Sequence, residues 1–187
     1  MKYDVIVKDL FQKDRPTLLD EITEGVAIRE FLNVELPVVL ERRADLVMLL
    51  ADGRIKHVEF QSFNDRDMAY REAIYGLMIG QVYRRPVDQT VVYIGAEPMR
   101  MDNRVDVGCV QGAYRLIDIR AFDAAALLAT GRPGDVALAM LASDGAGRLH
   151  EIVERGKQFG PGERGPLFTQ LAMLSGLRGL GMSSEWS

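Results

Sequence analysis

Residues 8–24 carry Leu10, Phe11, Leu18, Leu19 and Ile22 at spacings that build one apolar side of a helix. Pro16 should break or kink it, leaving Asp14 to cap a second segment that starts near the proline. A mixed stretch follows Gly25, and then come three strand candidates, at 36–41, 44–50 and 55–61. Residues 65–83 read as an amphipathic helix with Met68, Ile74, Tyr75, Met78, Ile79 and Val82 inward, closed by Pro86. A short β-branched run at 90–96 predicts a buried strand, and 114–120 predicts another. From Asp123 onward the pattern is helical and rich in Ala, Leu and Met. It is interrupted by GRPG, SDGAG and the glycine-rich GKQFGPGERGP, which reads as a linker or turn. The expectation is one α/β domain, with a core over 1–122 and a helical C-terminal extension over 123–187.

Within a strand side chains alternate faces, so Asp45 shares a side with Val47 and Leu49. In the next strand Ile55, His57, Glu59 and Gln61 share a side. The connecting turn decides whether the two sets meet. A two-residue turn at Asp52-Gly53 would pair Asp45 with Phe60 and send Glu59 to the opposite face. A three-residue loop, Ala51-Asp52-Gly53 with Gly53 left-handed, pairs Leu50 with Arg54 and sets Asp45 opposite Glu59. The sequence permits both registers, and the carboxylate pattern favours the second. Opposed side chains have Cβ atoms about 4.5–5.5 Å apart. Two carboxylates at that distance repel unless a cation lies between them, and carboxylate oxygens suit Mg²⁺. In the plainer reading Asp45 caps a strand end and Glu59 pairs with Arg42 or Arg43.

Composition narrows the classes. Hydrophobic residues are 48% and charged residues 27% of 187, the balance of a globular domain. No apolar run approaches the roughly 20 residues of a membrane span. The charged N-terminus lacks a signal peptide's apolar centre, and the single Cys109 allows no internal disulfide, so a cytoplasmic setting is expected. One cysteine and two histidines do not make a Cys/His zinc site. A net charge of −4 leaves any nucleic-acid contact to a local patch, for which Arg42, Arg43, Arg54, Arg84 and Arg85 are candidates.

The run ERRADLVMLLADGRIKHVEFQSFNDRDMAYREAIYGLMIGQVYRRPVDQTVVYIG, with YDVIVKDLF before it and YRLIDI after it, resembles the recombination-promoting nucleases. These are PD-(D/E)XK-type, transposase-like proteins. The resemblance implies a restriction-endonuclease-like mixed sheet flanked by helices, and a Mg²⁺-dependent DNA endonuclease (Mn²⁺ substituting) linked to recombination or mobile elements. The motif aspartate falls on Asp45, and the Glu-x-Gln element on Glu59 and Gln61, with the Phe60 carbonyl as a further metal ligand. Gln61 stands where many relatives have Lys; a neutral amide positions water but supplies no charge. An inactive relative acting as a DNA-binding or assembly module is the alternative, and another metal-dependent hydrolase is a third.

Lys8 matches a recurring lysine in the family's opening segment, which implies a phosphate contact, while in isolation it reads as a solvated lysine. Arg71 and Tyr75 share a helix face, Arg71 to reach a phosphate or to pair with Asp67 or Glu72. Glu21 and Glu24 are first-helix acids of the kind that some nucleases of this superfamily add to the metal site. His57 shares the Glu59 face and could approach the metal or a phosphate, the plainer expectation being a half-buried ring with a backbone hydrogen bond; His150 is expected at the surface and Cys109 as packing. A homodimer would make paired cuts; the C-terminal helices could supply its interface or cover the core.

Overall fold

The computed structural model describes residues 3–32 and 44–180. The strand expected over 36–41, with Arg42 and Arg43, lies outside the described residues. In chain order the elements are α1 (Tyr3–Asp14), α2 (Thr17–Ile22), β1 (Ile28–Leu32), β2 (Leu46–Leu50), β3 (Ile55–Gln61), α3 (Met68–Tyr83) and β4 (Val87–Tyr93). The short β5 (Arg104–Asp106), β6 (Gln111–Ala113) and β7 (Arg115–Asp118) follow. Last come α4 (Ala124–Ala129), α5 (Pro133–Ala139), α6 (Leu149–Lys157) and α7 (Pro161–Ser175).

The first helix starts five residues earlier than expected, because Val7 extends the buried stripe of Leu10 and Phe11 by one turn. It ends where Arg15 turns left-handed, at φ 42°, ahead of Pro16. Asp14 does not cap α2. It lies in the last turn of α1 and accepts a hydrogen bond from Gln170 Nε2 at 3.3 Å. The open end of α2 is served instead by the buried Asp135 of α5, which accepts from the Thr17 N–H and from its hydroxyl.

Five strands form one mixed sheet in the order β1-β2-β3-β4-β7. β1, β2 and β3 are antiparallel neighbours; β3, β4 and β7 run parallel. A parallel neighbour needs a crossover, and α3 supplies it between β3 and β4. The expected strand over 114–120 shortens to β7, and its end winds into a 3₁₀ turn at Ile119–Ala121. β5 and β6 form a separate hairpin that packs near α3.

The sheet is covered on both faces. Leu46, Met48, Leu50, Val58, Phe60 and Val92 face a large core built with α1, α2 and the C-terminal helices. Val47 and Ile55 face the other way, against Tyr75 and Ile79 of α3, while Val91 and Tyr93 pack with Met68 and the hairpin. The C-terminal helices therefore cover the core: Val136 through Ala142 are buried without a break, and α7 adds Leu167, Leu171 and Leu174. Much of the glycine-rich segment taken as a linker is the first half of α7, which opens at Pro161, a residue suited to a first helical turn. Among the described residues no helix is long and apolar enough to cross a membrane.

Candidate functional site

The β2–β3 hairpin takes the three-residue loop. Leu50 N–H donates to the Arg54 carbonyl at 2.9 Å, and Gly53 N–H returns to the Leu50 carbonyl at 3.0 Å. Gly53 sits at φ 86°, which a side chain would resist. The Asp52 carboxylate accepts the Arg54 N–H at 3.0 Å and stiffens the loop. Leu46 then pairs with Val58 and Val47 with His57, so one step outward Asp45 stands across from Glu59. Two hydrogen bonds fix that meeting. Asp45 N–H donates to Glu59 Oε1 at 3.1 Å, and Phe60 N–H donates to Asp45 Oδ2 at 2.9 Å.

Both acids open into a cleft of about 330 Å³, lined also by Asp4, Phe60, Gln61, Ser62, Phe63, Arg71 and Tyr75. Asp45 is half-buried. Burial first, and then the Glu59 carboxylate, push its pKa up to about 7; the Phe60 N–H and Lys8 work in the opposite direction. Asp4 adds to the upward push. It is the first-helix acid of this cleft, and the sequence reading missed it because the helix was started at residue 8. Glu21 and Glu24 lie elsewhere: Glu21 pairs with Arg115 at 2.7 Å, and Glu24 lies 3.6 Å from Arg54. Lys8 is half-buried on α1, near enough to act on the charge of Asp45.

Arg71 reaches the cleft from α3. Its Nη1 pairs with Asp65 at 2.8 Å, rather than with Asp67 or Glu72. Its Nη2 donates to Gln61 Oε1 at 3.2 Å and lies 3.7 Å from Glu59 Oε2. The guanidinium thus brings to Gln61 the positive charge that an amide lacks. Gln61 Nε2 is buried with no hydrogen-bond partner, a donor left for an acceptor in the cleft. Tyr75 is buried beneath, edge-on to the His57 ring at 5.4 Å between centroids.

His57 is fully buried, not half-buried, and its partners are side chains. Nε2 lies 3.1 Å from Glu59 Oε1, and Nδ1 lies 3.5 Å from Glu72 Oε2. Burial alone would lower its pKa, but Glu72 and Glu59 outweigh that and raise it to about 10. Gln89 Nε2 donates to the Glu72 carbonyl and carboxylate at 2.8 and 2.9 Å. Burial drives the Glu72 pKa upward, with His57 opposing. Glu72 was assigned only a pairing role with Arg71; its place under the site follows from α3 crossing behind β3. Pattern reading had placed Ile74 and Val82 inward, yet both are exposed, and Ala69 and Glu72 take the buried face instead. His150 is at the surface, as expected, and so is Cys109, which had been read as packing.

Two carboxylates on facing strands and an unpartnered amide donor beside them suit a hard ion with a water or phosphate oxygen. Among the described residues no group of three or more His, Cys, Asp or Glu side chains converges to hold a metal by itself. The protein's contribution would be Asp45 and Glu59, with main-chain and solvent oxygens completing the shell. No family model, curated protein or solved structure matches the chain.

Proposed function

We propose that the protein is a Mg²⁺-dependent DNA endonuclease on a restriction-endonuclease-like core, acting in recombination or on mobile elements. The observation that carries this reading is the facing of Asp45 and Glu59 in one cleft, with Gln61 and Arg71 beside them. Asp45, Glu59 and the Phe60 carbonyl would hold the ion, with Mn²⁺ as a substitute. The ion's contribution would be Lewis acidity at a phosphodiester oxygen.

The remaining work falls to the chain. Gln61 Nε2 orients the attacking water or a phosphate oxygen, and Arg71, held by Asp65, places positive charge next to the scissile group. Lys8 would meet a flanking phosphate from α1. His57 and Glu72 keep Glu59 in its rotamer from below.

A second reading, a nuclease-fold relative that binds DNA or scaffolds an assembly without cutting it, is favoured by one observation. Glu59 is already compensated by His57 on one oxygen and approached by Arg71 on the other. A plasmid-nicking assay with Mg²⁺, Mn²⁺ or EDTA separates the two. The endonuclease nicks only with metal, and Asp45→Ala and Glu59→Ala each abolish it. DNA binding that is indifferent to metal, with no nicking, would replace the first reading by the second.

A further inference from the structure

Of the large hydrophobic side chains exposed among the described residues, Phe63 is the most open, at 62%, and it alone lines the cleft. A single exposed aromatic is ordinary, but this one stands on a loop that the fold holds still. On the strand side the Gln61 carbonyl accepts the Ile94 N–H at 2.9 Å, and the Ser62 carbonyl lies so close to Gly95 that a Cβ there would stand 2.5 Å away. On the helix side Asn64 Nδ2 donates to the Pro98 carbonyl at 2.9 Å, and its Oδ1 accepts the Arg100 N–H at 2.6 Å. Asp65 accepts the Asp67 N–H at 2.9 Å and pairs with Arg71. A ring displayed on a fixed loop loses little freedom when a ligand settles on it, which is the property of a binding platform.

The surroundings say what would settle there. Ser62, Asn64, Asp65 and Arg66 flank the ring in the chain, so the loop offers no contiguous apolar patch of the kind a protein partner covers. The cleft sets Asp4, Asp45 and Glu59 against one cation, Arg71, which Asp65 already engages. Lys8 on α1 and the exposed Arg66 of the loop add two more. Phosphate-driven duplex binding typically neutralises about six to ten phosphates. Three cations suit the backbone of one strand, whose binding draws the rest of its strength from bases stacked on aromatic rings. Only an unpaired base offers its face to such a ring.

We propose that Phe63 stacks on an unpaired nucleobase of the strand in the cleft, so that the substrate is single-stranded DNA or a duplex opened at the scissile step. This rests on the reading of the cleft as a phosphodiester site and narrows it. Phe63 follows Gln61 by two residues and both line the cleft, where the Gln61 amide is a free donor. A nucleotide whose phosphate meets Gln61 thus presents its base to Phe63.

Fluorescence anisotropy, with Ca²⁺ in place of Mg²⁺ to suppress turnover, compares labelled oligothymidine with an abasic oligomer of equal length and charge. Wild type should bind the oligothymidine at least about fivefold more tightly, the low end for one stacked base. Phe63→Ala should bind both alike and Phe63→Trp should keep the preference, with unchanged far-UV spectra because the position is exposed. In Mg²⁺, wild type should cut a bubble duplex faster than the same sequence fully paired, and Phe63→Ala should lose that advantage. A wild type that binds the two oligomers equally or binds neither overturns the stack, as does a Phe63→Ala that keeps the preference. Base-dependent binding without metal-dependent cleavage keeps the stack and removes the endonuclease reading; cleavage without base preference does the reverse.

Discussion

Asp45→Asn removes a carboxylate that the fold holds in an unfavourable place, so it should stabilise the metal-free protein at alkaline pH. Burial and the facing Glu59 move Asp45 from 3.8 to about 7. A shift of that size corresponds to a ceiling of ~4 kcal/mol. Asp45 is only half-buried and keeps the Phe60 N–H, which an asparagine oxygen can also accept, so the realised gain should be ~2 kcal/mol. The folded pKa is the higher one. Asp45's protonated form therefore stabilises fully below pH 3.8, and that contribution is lost as pH rises through about 7. At a few degrees per kcal/mol for a chain of this length, Asp45→Asn should raise Tm by roughly 4–8 °C at pH 8 in EDTA. The advantage should disappear toward pH 4. The assay is thermal unfolding in EDTA at closely spaced pH values. Equal Tm for both proteins at pH 8, or a gain independent of pH, would refute the reasoning that the two acids repel across the hairpin.

Two further outcomes follow from the same packing. His57→Ala leaves the buried Glu72 and Glu59 without their shared cation and should cost ~3–5 kcal/mol at neutral pH by denaturant unfolding. Because the folded pKa of His57, about 10, exceeds its ordinary 6.5, wild type should lose stability between those values, and the variant should lack that limb. At Gly95 a Cβ would stand 2.5 Å from the Ser62 carbonyl oxygen, so Gly95→Ala should cost ~1–3 kcal/mol in the same measurement and disturb the strand end that carries Gln61.

The hairpin was legible because its determinants are local. Asp52-Gly53 marks the turn but allows two registers, and the carboxylate pattern favoured the three-residue loop; with a period of two, the facing of Asp45 and Glu59 and the bounds of β3 then agree with the structure. Long-range determinants were not legible. Nothing near Thr17 announces that Asp135 will serve its helix end from α5. α3 carries apolar residues on nearly every side, so periodicity could not tell its sheet face from its exposed stripe, and Glu72 was lost from the buried set. Tyr3–Val7 carries the β-branched run Val5-Ile6-Val7, which has no helical period and suits a strand as readily, and this concealed the first turn of α1 and with it Asp4. β1 and the β5–β6 hairpin went unseen because they are short and largely exposed. With less than half of each strand buried, there is little hydrophobic pattern to read.

Calorimetric titration of Mn²⁺ into the protein at pH 8 bears most directly on the shared cation. Wild type should bind a divalent ion; Asp45→Asn and Glu59→Gln should each weaken binding at least about tenfold, and the double variant should be little worse than either single one, since both acids serve one site. Undiminished binding in both single variants, or no binding by wild type, would contradict the account.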